Sequence, residues 1–145
     1  MTGSVRTALF GKILYGLLFL VVLPVLLYVW ARATEAYVNL PAVASVPVGL
    51  ALSLCGVLTM VIGMATLMLY GDGLPMNAYP PGRFVVQGIY RVLSHPIYTG
   101  FCAACVGTAI AIGSRSGLWL VSPIVMLGCV ALVQGFENPD LRARF

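Results

Sequence analysis

Side chains able to carry acid–base or ligand-binding chemistry concentrate in one polar segment, residues 72–100, of an otherwise apolar chain. Its ionisable side chains include Asp72, Arg83, Arg91 and the only histidine of the sequence, His95. Histidine is the side chain whose charge ordinarily changes near neutral pH, so it can transfer a proton or hydrogen-bond a polar ligand. His95 is therefore the first candidate for chemistry in this sequence.

A structural role for His95 competes with that interpretation. Ser94 and His95 stand directly before Pro96 and an apolar run. At such a position a side chain can cap the first turn of a helix, and proline is favoured inside that turn. Taken alone, the residue types favour the capping role and the ligand-binding role of His95 equally.

Glu137, at the end of the last apolar run, is the second candidate. An acid in this position usually marks the point where a helix meets water, although it opposes the helix dipole there. Ionisable groups near membrane depth are nevertheless functional candidates by default. If Glu137 and His95 lie on one side of the same helices, the two side chains can enclose a polar ligand.

The composition assigns the chain to the membrane class. Hydrophobic residues make up 61% and charged residues 8% of the 145 residues, whereas soluble domains are about one quarter charged. The net charge is +4, but its basic residues occur singly near the ends of apolar runs, which is typical of membrane orientation signals. We therefore expect a membrane partner and no nucleic-acid partner.

The four cysteines all lie in apolar runs, and Cys102 and Cys105 have the spacing of a CxxC motif. No second ligand pair accompanies them, so packing inside a membrane helix is the favoured interpretation. The sequence predicts no metal site.

The chemistry-bearing residues must be positioned by membrane helices. We predict an all-α, polytopic membrane helix bundle in a single domain, residues 1–145, with about four transmembrane helices and a Gly/Pro-rich loop. Pro24 should kink the first helix without ending it. The predicted spans are residues 13–31, 47–70, 97–114 and 118–136.

Small residues form a stripe along the second and the third span, which predicts that these two helices pack closely. The stripes consist of Gly49, Ser53, Gly56 and Gly63 in one helix and Gly100, Ala104, Gly107 and Ala111 in the other.

Four spans place both termini and the 72–96 loop on one side of the membrane. Six basic residues share that side: Arg6, Lys12, Arg83, Arg91, Arg142 and Arg144. Only Arg32 and Arg115 belong to the opposite side. The positive-inside rule then predicts cytoplasmic termini and a cytoplasmic loop, with His95 and Glu137 at the same face.

The segment Gly88-Ile89-Tyr90-Arg91-Val92-Leu93-Ser94-His95-Pro96-Ile97-Tyr98-Thr99-Gly100, an apolar stretch and then Glu137 resemble the isoprenylcysteine carboxyl methyltransferase and phospholipid methyltransferase superfamily. The pattern of that superfamily is G-x-Y-x-x-x-R-H-P-x-Y-x-G, a hydrophobic region and a Glu-Glu pair. Residues 71–88 also resemble the Gly/Pro-rich lead-in of bacterial members. The resemblance covers about residues 71–145.

The resemblance implies an integral-membrane enzyme of a bacterial or other inner membrane, with S-adenosyl-L-methionine as its cofactor. It would transfer a methyl group to a lipophilic acceptor, such as a prenylcysteine carboxylate, a lipid headgroup or a similar small molecule. The positions that match the motif, and that would bind the cofactor, are Tyr90, His95, Pro96, Tyr98, Gly100 and Glu137. Arg91, one helical turn before Ser94, would bind the cofactor in place of the arginine of the motif. The resemblance identifies no catalytic residue and no oligomeric state.

Two alternatives stay open. Ser94 and Asn138 replace an arginine and a glutamate of the pattern, which favours a non-catalytic scaffold of the same fold. The pattern also continues past the position of Phe145, which predicts a shortened member or one part of a larger protein. An NADPH-dependent sterol-type reductase is disfavoured because Phe101, and not glutamate, follows Gly100.

Overall fold

The computed structural model describes residues 10–11, 14–71 and 84–144, the last of these without its side chain. Within these ranges the regular structure is entirely helical, as the sequence predicts. Arg6, Lys12, Asp72 and Arg83, which entered the orientation and site predictions, lie outside the described residues.

Four long helices account for the described structure: α1 (Leu14–Tyr37), α2 (Val46–Tyr70), α3 (Pro96–Ile112) and α4 (Gly117–Ala143). By length and composition, α1, α2 and α4 can each cross a membrane. The apolar helix α3 is shorter, at 17 residues, which corresponds to about 25 Å of helix. A short 3-10 turn, Gly88–Arg91, precedes α3.

The helix ends follow local backbone chemistry. Pro47 lies in the first turn of α2 and Pro96 in the first turn of α3, where a missing N–H is harmless. Gly113 ends α3 with a φ of 66°, a left-handed conformation that glycine adopts without steric cost.

The outer two helices are longer than the sequence predicted. Helix α1 continues past Ala31 to Tyr37, and α4 continues past Phe136 to Ala143. Glu35 stays in the last turn of α1 because its carboxylate bonds to the start of α4. Pro139 does not end α4 because the helix widens into a π turn, Val133–Glu137, just before it.

The predicted close packing of α2 and α3 is confirmed. A Cβ atom added to Gly56 would lie 2.5 Å from the carbonyl oxygen of Gly100, and one added to Gly100 would meet Gly56 in the same way. Farther along, Gly107 packs on the backbone of Ser53 and Gly49 on the backbone of Ala111. The helices are antiparallel, with backbone against backbone, which explains why both stripes consist of small residues.

At one end of the bundle, Glu35 connects the end of α1 to the start of α4. Its carboxylate accepts hydrogen bonds from the Ser114 hydroxyl at 2.6 Å, the Arg115 N–H at 2.8 Å and the Ser116 N–H at 3.3 Å. Thr34 and Ser116 also share a hydroxyl–hydroxyl hydrogen bond of 2.6 Å. These donors lie at the start of α4, where a helix has no acceptors of its own, so the contact caps α4 and joins it to α1.

Candidate functional site

His95 and Glu137 come together in the folded chain. The imidazole at the start of α3 approaches the carboxylate near the end of α4, with 3.4 Å between Nδ1 and Oε1. The two residues are 42 positions apart in sequence (137 − 95), and the antiparallel course of α3 and α4 brings them to one end of the bundle. The prediction that both lie at the same face is confirmed.

The His95 side chain does not cap α3, so that alternative is wrong. The residue occupies the N-cap position, but its imidazole makes no capping hydrogen bond. Its backbone carbonyl accepts the N–H of Thr99 at 3.0 Å and the Thr99 hydroxyl at 2.9 Å. The backbone thus starts the helix, and the ring is left to face Glu137.

Both members of the pair carry a buried polar atom with unmet hydrogen-bonding capacity. The side chains are only 23% and 28% exposed for His95 and Glu137, respectively. Among the described residues, neither Nδ1 of His95 nor Oε2 of Glu137 has a hydrogen-bond partner. Buried polar atoms in native structures are nearly always paired, and leaving one unpaired costs about 1–3 kcal/mol. Such atoms make the pair a candidate site for a polar ligand.

Two tyrosines complete the surroundings of the pair. The ring of Tyr98, one turn into α3, lies 6.3 Å from the imidazole of His95 between centroids. Burial raises the pKa of the Tyr90 phenol, and electrostatic interactions with Glu137 and Tyr98 raise it further. Tyr90 therefore stays protonated at physiological pH and can donate its O–H to a ligand.

Gly88 determines the position of Tyr90. It begins the 3-10 turn with a φ of 59°, and the position of its missing side chain is filled by the Thr66 methyl group of α2, 3.1 Å from where a Cβ would be. A glycine is needed both for the left-handed backbone and for this close approach. The turn thus lies against α2, and Tyr90 follows two residues later, half-buried.

The other motif residues have different surroundings. Pro96 is fully buried and lies against Gly63, and Gly100 lies against the backbone of Gly56, so both pack α3 on α2. Arg91 is exposed. Participation of these three residues in cofactor binding stays a prediction.

The interactions of Glu35 were not predicted. The sequence suggested only that this residue closes the first span, and its partners are about 80 positions away. The one available signal was the Ser-Arg-Ser run at 114–116, because a helix that starts in an apolar environment needs acceptors for its first N–H groups. Glu35 lies at the other end of the bundle from His95.

The described residues form no set of ligands for a metal ion. Within residues 14–71 and 84–144, no group of three or more His, Cys, Asp or Glu side chains could hold a metal ion. The four cysteines are free thiols on α2, α3 and α4. The cluster of His95, Glu137, Tyr90 and Tyr98 instead offers an acid, a base, a phenol donor and aromatic faces, a combination suited to binding a polar organic molecule.

Comparison with known proteins identifies the family of the chain. No curated protein and no solved structure matches the chain significantly. A family model described as phospholipid methyltransferase matches residues 44–145, which include α2, α3, α4 and all four residues of the cluster. Because the match covers more than two thirds of the sequence, the chain belongs to the phospholipid methyltransferase family, within the isoprenylcysteine and phospholipid methyltransferase superfamily.

Proposed function

We propose that the protein is a membrane-embedded methyltransferase that uses S-adenosyl-L-methionine and transfers its methyl group to a lipophilic acceptor. Family membership supports a membrane methyltransferase. The observation that carries the cofactor assignment is the contact between His95 and Glu137, in which two buried polar atoms have no hydrogen-bond partner among the described residues.

The residues of the cluster fit the chemical groups of the cofactor. A carboxylate such as Glu137 can accept hydrogen bonds from a ribose diol or an ammonium group. Tyr90 and Tyr98 offer aromatic faces to an adenine ring or to a sulfonium cation. His95 can donate to a carboxylate or to a ring nitrogen. Bound there, the cofactor would supply an electrophilic methyl group whose displacement leaves the sulfur as a neutral thioether.

The protein's part in such a reaction is mainly positioning. Methyl transfer is an in-line displacement, so holding two reactants in line accounts for much of the rate enhancement. A carboxylate acceptor needs no general base. An amine or thiol acceptor would have to lose a proton, and His95, the only histidine, is the side chain suited to take it. Glu137 beside Nδ1 would stabilise the resulting imidazolium.

The acceptor is expected to be lipophilic because α3 and α4, which carry the site, are apolar, and α4 is exposed to the surroundings along most of its length. Leu127 of α4 is 69% exposed and Phe136, next to Glu137, is 70% exposed. Phe136 is the sequence neighbour of Glu137, and Leu127 lies about 15 Å farther back along α4, so an exposed apolar surface extends along α4 up to the site. We infer that the acceptor reaches the site from the membrane, in the leaflet that faces the cytoplasm.

Ligand-induced stabilisation in detergent tests the cofactor assignment. At one hundred times its dissociation constant, a ligand that binds only the folded state stabilises it by ~2.7 kcal/mol. We expect S-adenosylhomocysteine to raise the unfolding temperature and NADPH to leave it unchanged. Stabilisation by NADPH alone would indicate the reductase alternative, and stabilisation by neither would indicate the non-catalytic scaffold.

Substitutions in the pair test the site itself. Glu137→Ala and His95→Ala should each remove the stabilisation by S-adenosylhomocysteine, because each removes one side of the ligand's polar contacts. The matched control is Asp140→Ala, which removes an exposed carboxylate one turn farther along α4 and should bind normally. Normal binding by Glu137→Ala would overturn the assignment of that residue.

A further inference from the structure

Every π turn among the described residues lies directly before a proline inside a helix. The three π turns are Leu18–Val22, Gly117–Val121 and Val133–Glu137. They end two residues before Pro24, Pro123 and Pro139, respectively. Helices α2 and α3 have proline only in their first turn, and neither contains a π turn.

Backbone chemistry explains this association. Proline has no N–H to donate, and in a regular α-helix its ring collides with the carbonyl group four residues earlier. A π turn moves that carbonyl group away, because the residue before the proline hydrogen-bonds across five residues. The bond before Pro139 runs from the Asn138 N–H to the Val133 carbonyl oxygen.

A π turn also changes which side chain faces the site. It accommodates one more residue than an α-helical turn, so every later residue is rotated by about 100°, the angle between neighbouring residues in a helix of 3.6 residues per turn. Without the π turn Val133–Glu137, a regular α4 would place Phe136 about where Glu137 now lies. Glu137 would then point away from His95.

We propose that Pro139 is the positioning residue for Glu137: by imposing the π turn, it directs the carboxylate toward His95. Pro139 is exposed, so packing does not account for an effect of this residue on the site. The geometric part of this inference is independent of the cofactor, and only its ligand-binding consequence rests on the proposed function.

Cross-linking tests the geometry without any ligand. In a chain whose four native cysteines are replaced by alanine, His95→Cys/Glu137→Cys should be joined by a short bifunctional thiol reagent, and His95→Cys/Phe136→Cys should not. Adding Pro139→Ala should reverse this pattern, so that position 95 is cross-linked to position 136 and not to position 137, because α4 then returns to regular α-helical bonding. Cross-linking that is unchanged by Pro139→Ala would overturn the inference.

Deletion of one residue should restore the position of Glu137 in the Pro139→Ala chain. Removing Gln134 from the Pro139→Ala chain takes out the one residue that the π turn accommodates, so Glu137 should again cross-link to position 95. General damage to α4 would not be repaired by shortening it. Failure of this rescue, with the shortened chain still folded, would also contradict the inference.

Binding of S-adenosylhomocysteine by calorimetry then measures the consequence for the site. Pro139→Ala should weaken binding roughly tenfold or more, as expected when hydrogen bonds to a charged group are lost, and the deletion should restore it. Pro24→Ala, which removes the proline after the π turn of α1, is the matched control and should bind normally.

The two proposals fail in different ways. If the unsubstituted chain does not bind S-adenosylhomocysteine while the cross-links exchange, the proposed function is wrong and the role of Pro139 stands. If the chain binds the ligand and Pro139→Ala changes neither the cross-links nor the affinity, the role of Pro139 is wrong.

Discussion

At His95 the backbone and the side chain have separate tasks. The carbonyl group starts α3 by accepting hydrogen bonds from Thr99, and the imidazole approaches Glu137. The sequence predicted that His95 and Glu137 would share a face, because spans of known number fix which ends of the helices coincide. It could not predict which way either side chain points, because that depends on the backbone angles at the N-cap and on the π turn before Pro139.

For the motif residues, too, the sequence does not predict which way each side chain points. Tyr90, His95, Pro96, Tyr98 and Gly100 are equivalent as letters of one pattern, but the structure separates them by helix face. His95 contacts the carboxylate, Tyr98 lies near the His95 ring and Tyr90 interacts electrostatically with Glu137, whereas Pro96 and Gly100 pack on α2. A pattern of letters contains no information on this division, because it arises from the packing partner of α3.

Gly88→Ala is predicted to disturb the site through the backbone. A residue with a Cβ atom pays roughly 1–2 kcal/mol in the left-handed conformation that Gly88 adopts, and the new methyl group would press on Thr66. We expect a lower unfolding temperature and weaker binding of S-adenosylhomocysteine, since the turn carrying Tyr90 must shift. Thr66→Ala in the same chain should recover part of the loss by making room. An unchanged affinity would show that the turn does not position Tyr90.

At the scale of elements, small residues let α2 and α3 pack with backbone against backbone. Their small-residue stripes were identified from spacing alone, and the partner was predicted correctly because each stripe needs a second close-packing surface. The ends of α1 and α4 were not predicted, because charged residues and prolines usually end a membrane helix. Here Glu35 finds donors on α4, and the π turn accommodates Pro139.

Gly56→Ala is predicted to force these helices apart. The new methyl group would meet the Gly100 carbonyl oxygen at 2.5 Å and the Ala104 nitrogen at 2.6 Å, and neither backbone atom can move aside alone. Overpacking of this kind costs about 1–3 kcal/mol, which thermal unfolding in detergent will register. Gly128→Ala in α4 is the matched control: nothing lies within 4 Å of its added methyl group, so helix propensity should make it neutral or stabilising by up to ~1 kcal/mol. Equal effects of the two substitutions would contradict the packing described here.

At the scale of the whole molecule, two polar clusters lie at opposite ends of an apolar bundle. The cluster of Glu35 is internally satisfied by donors from the start of α4. In the cluster of His95 and Glu137, two buried polar atoms form no hydrogen bond with any part of the chain that the structure describes. Only the first of these is arranged as a purely structural contact, which is why the second is the functional candidate.

Glu35→Ala should therefore destabilise the protein without affecting the distant site. It leaves the buried Ser114 hydroxyl and the first N–H groups of α4 without their acceptor, at about 1–3 kcal/mol for each unsatisfied group. Arg115→Ala is the control, because its side chain contributes only a partly exposed ion pair with Glu35 and should cost less than about 1 kcal/mol. We expect Glu35→Ala to lower the unfolding temperature while the folded protein retains its affinity for S-adenosylhomocysteine. A loss of affinity would show that the two ends are coupled.

The orientation in the membrane gives a further prediction. Single cysteines introduced as Pro41→Cys and Asp140→Cys in a chain without native cysteines mark the two ends of the bundle. In intact cells, a membrane-impermeant maleimide should label the first and reach the second only after permeabilisation, as the distribution of basic residues predicts. The reverse pattern would place His95 and Glu137 on the outer face, away from the cytoplasmic supply of the cofactor.

The contact of Gly56 with Gly100 also limits where a lipophilic acceptor could bind. Two main chains in contact enclose no volume, and a cleft between them would require separating backbones that touch from Gly49 to Gly56. Under the proposed function, a lipid chain that enters from the bilayer would therefore pass along the other side of α3, beside α4. Bulky residues introduced on the α4 side of α3, and not in the α2–α3 interface, would then change which acceptors can bind.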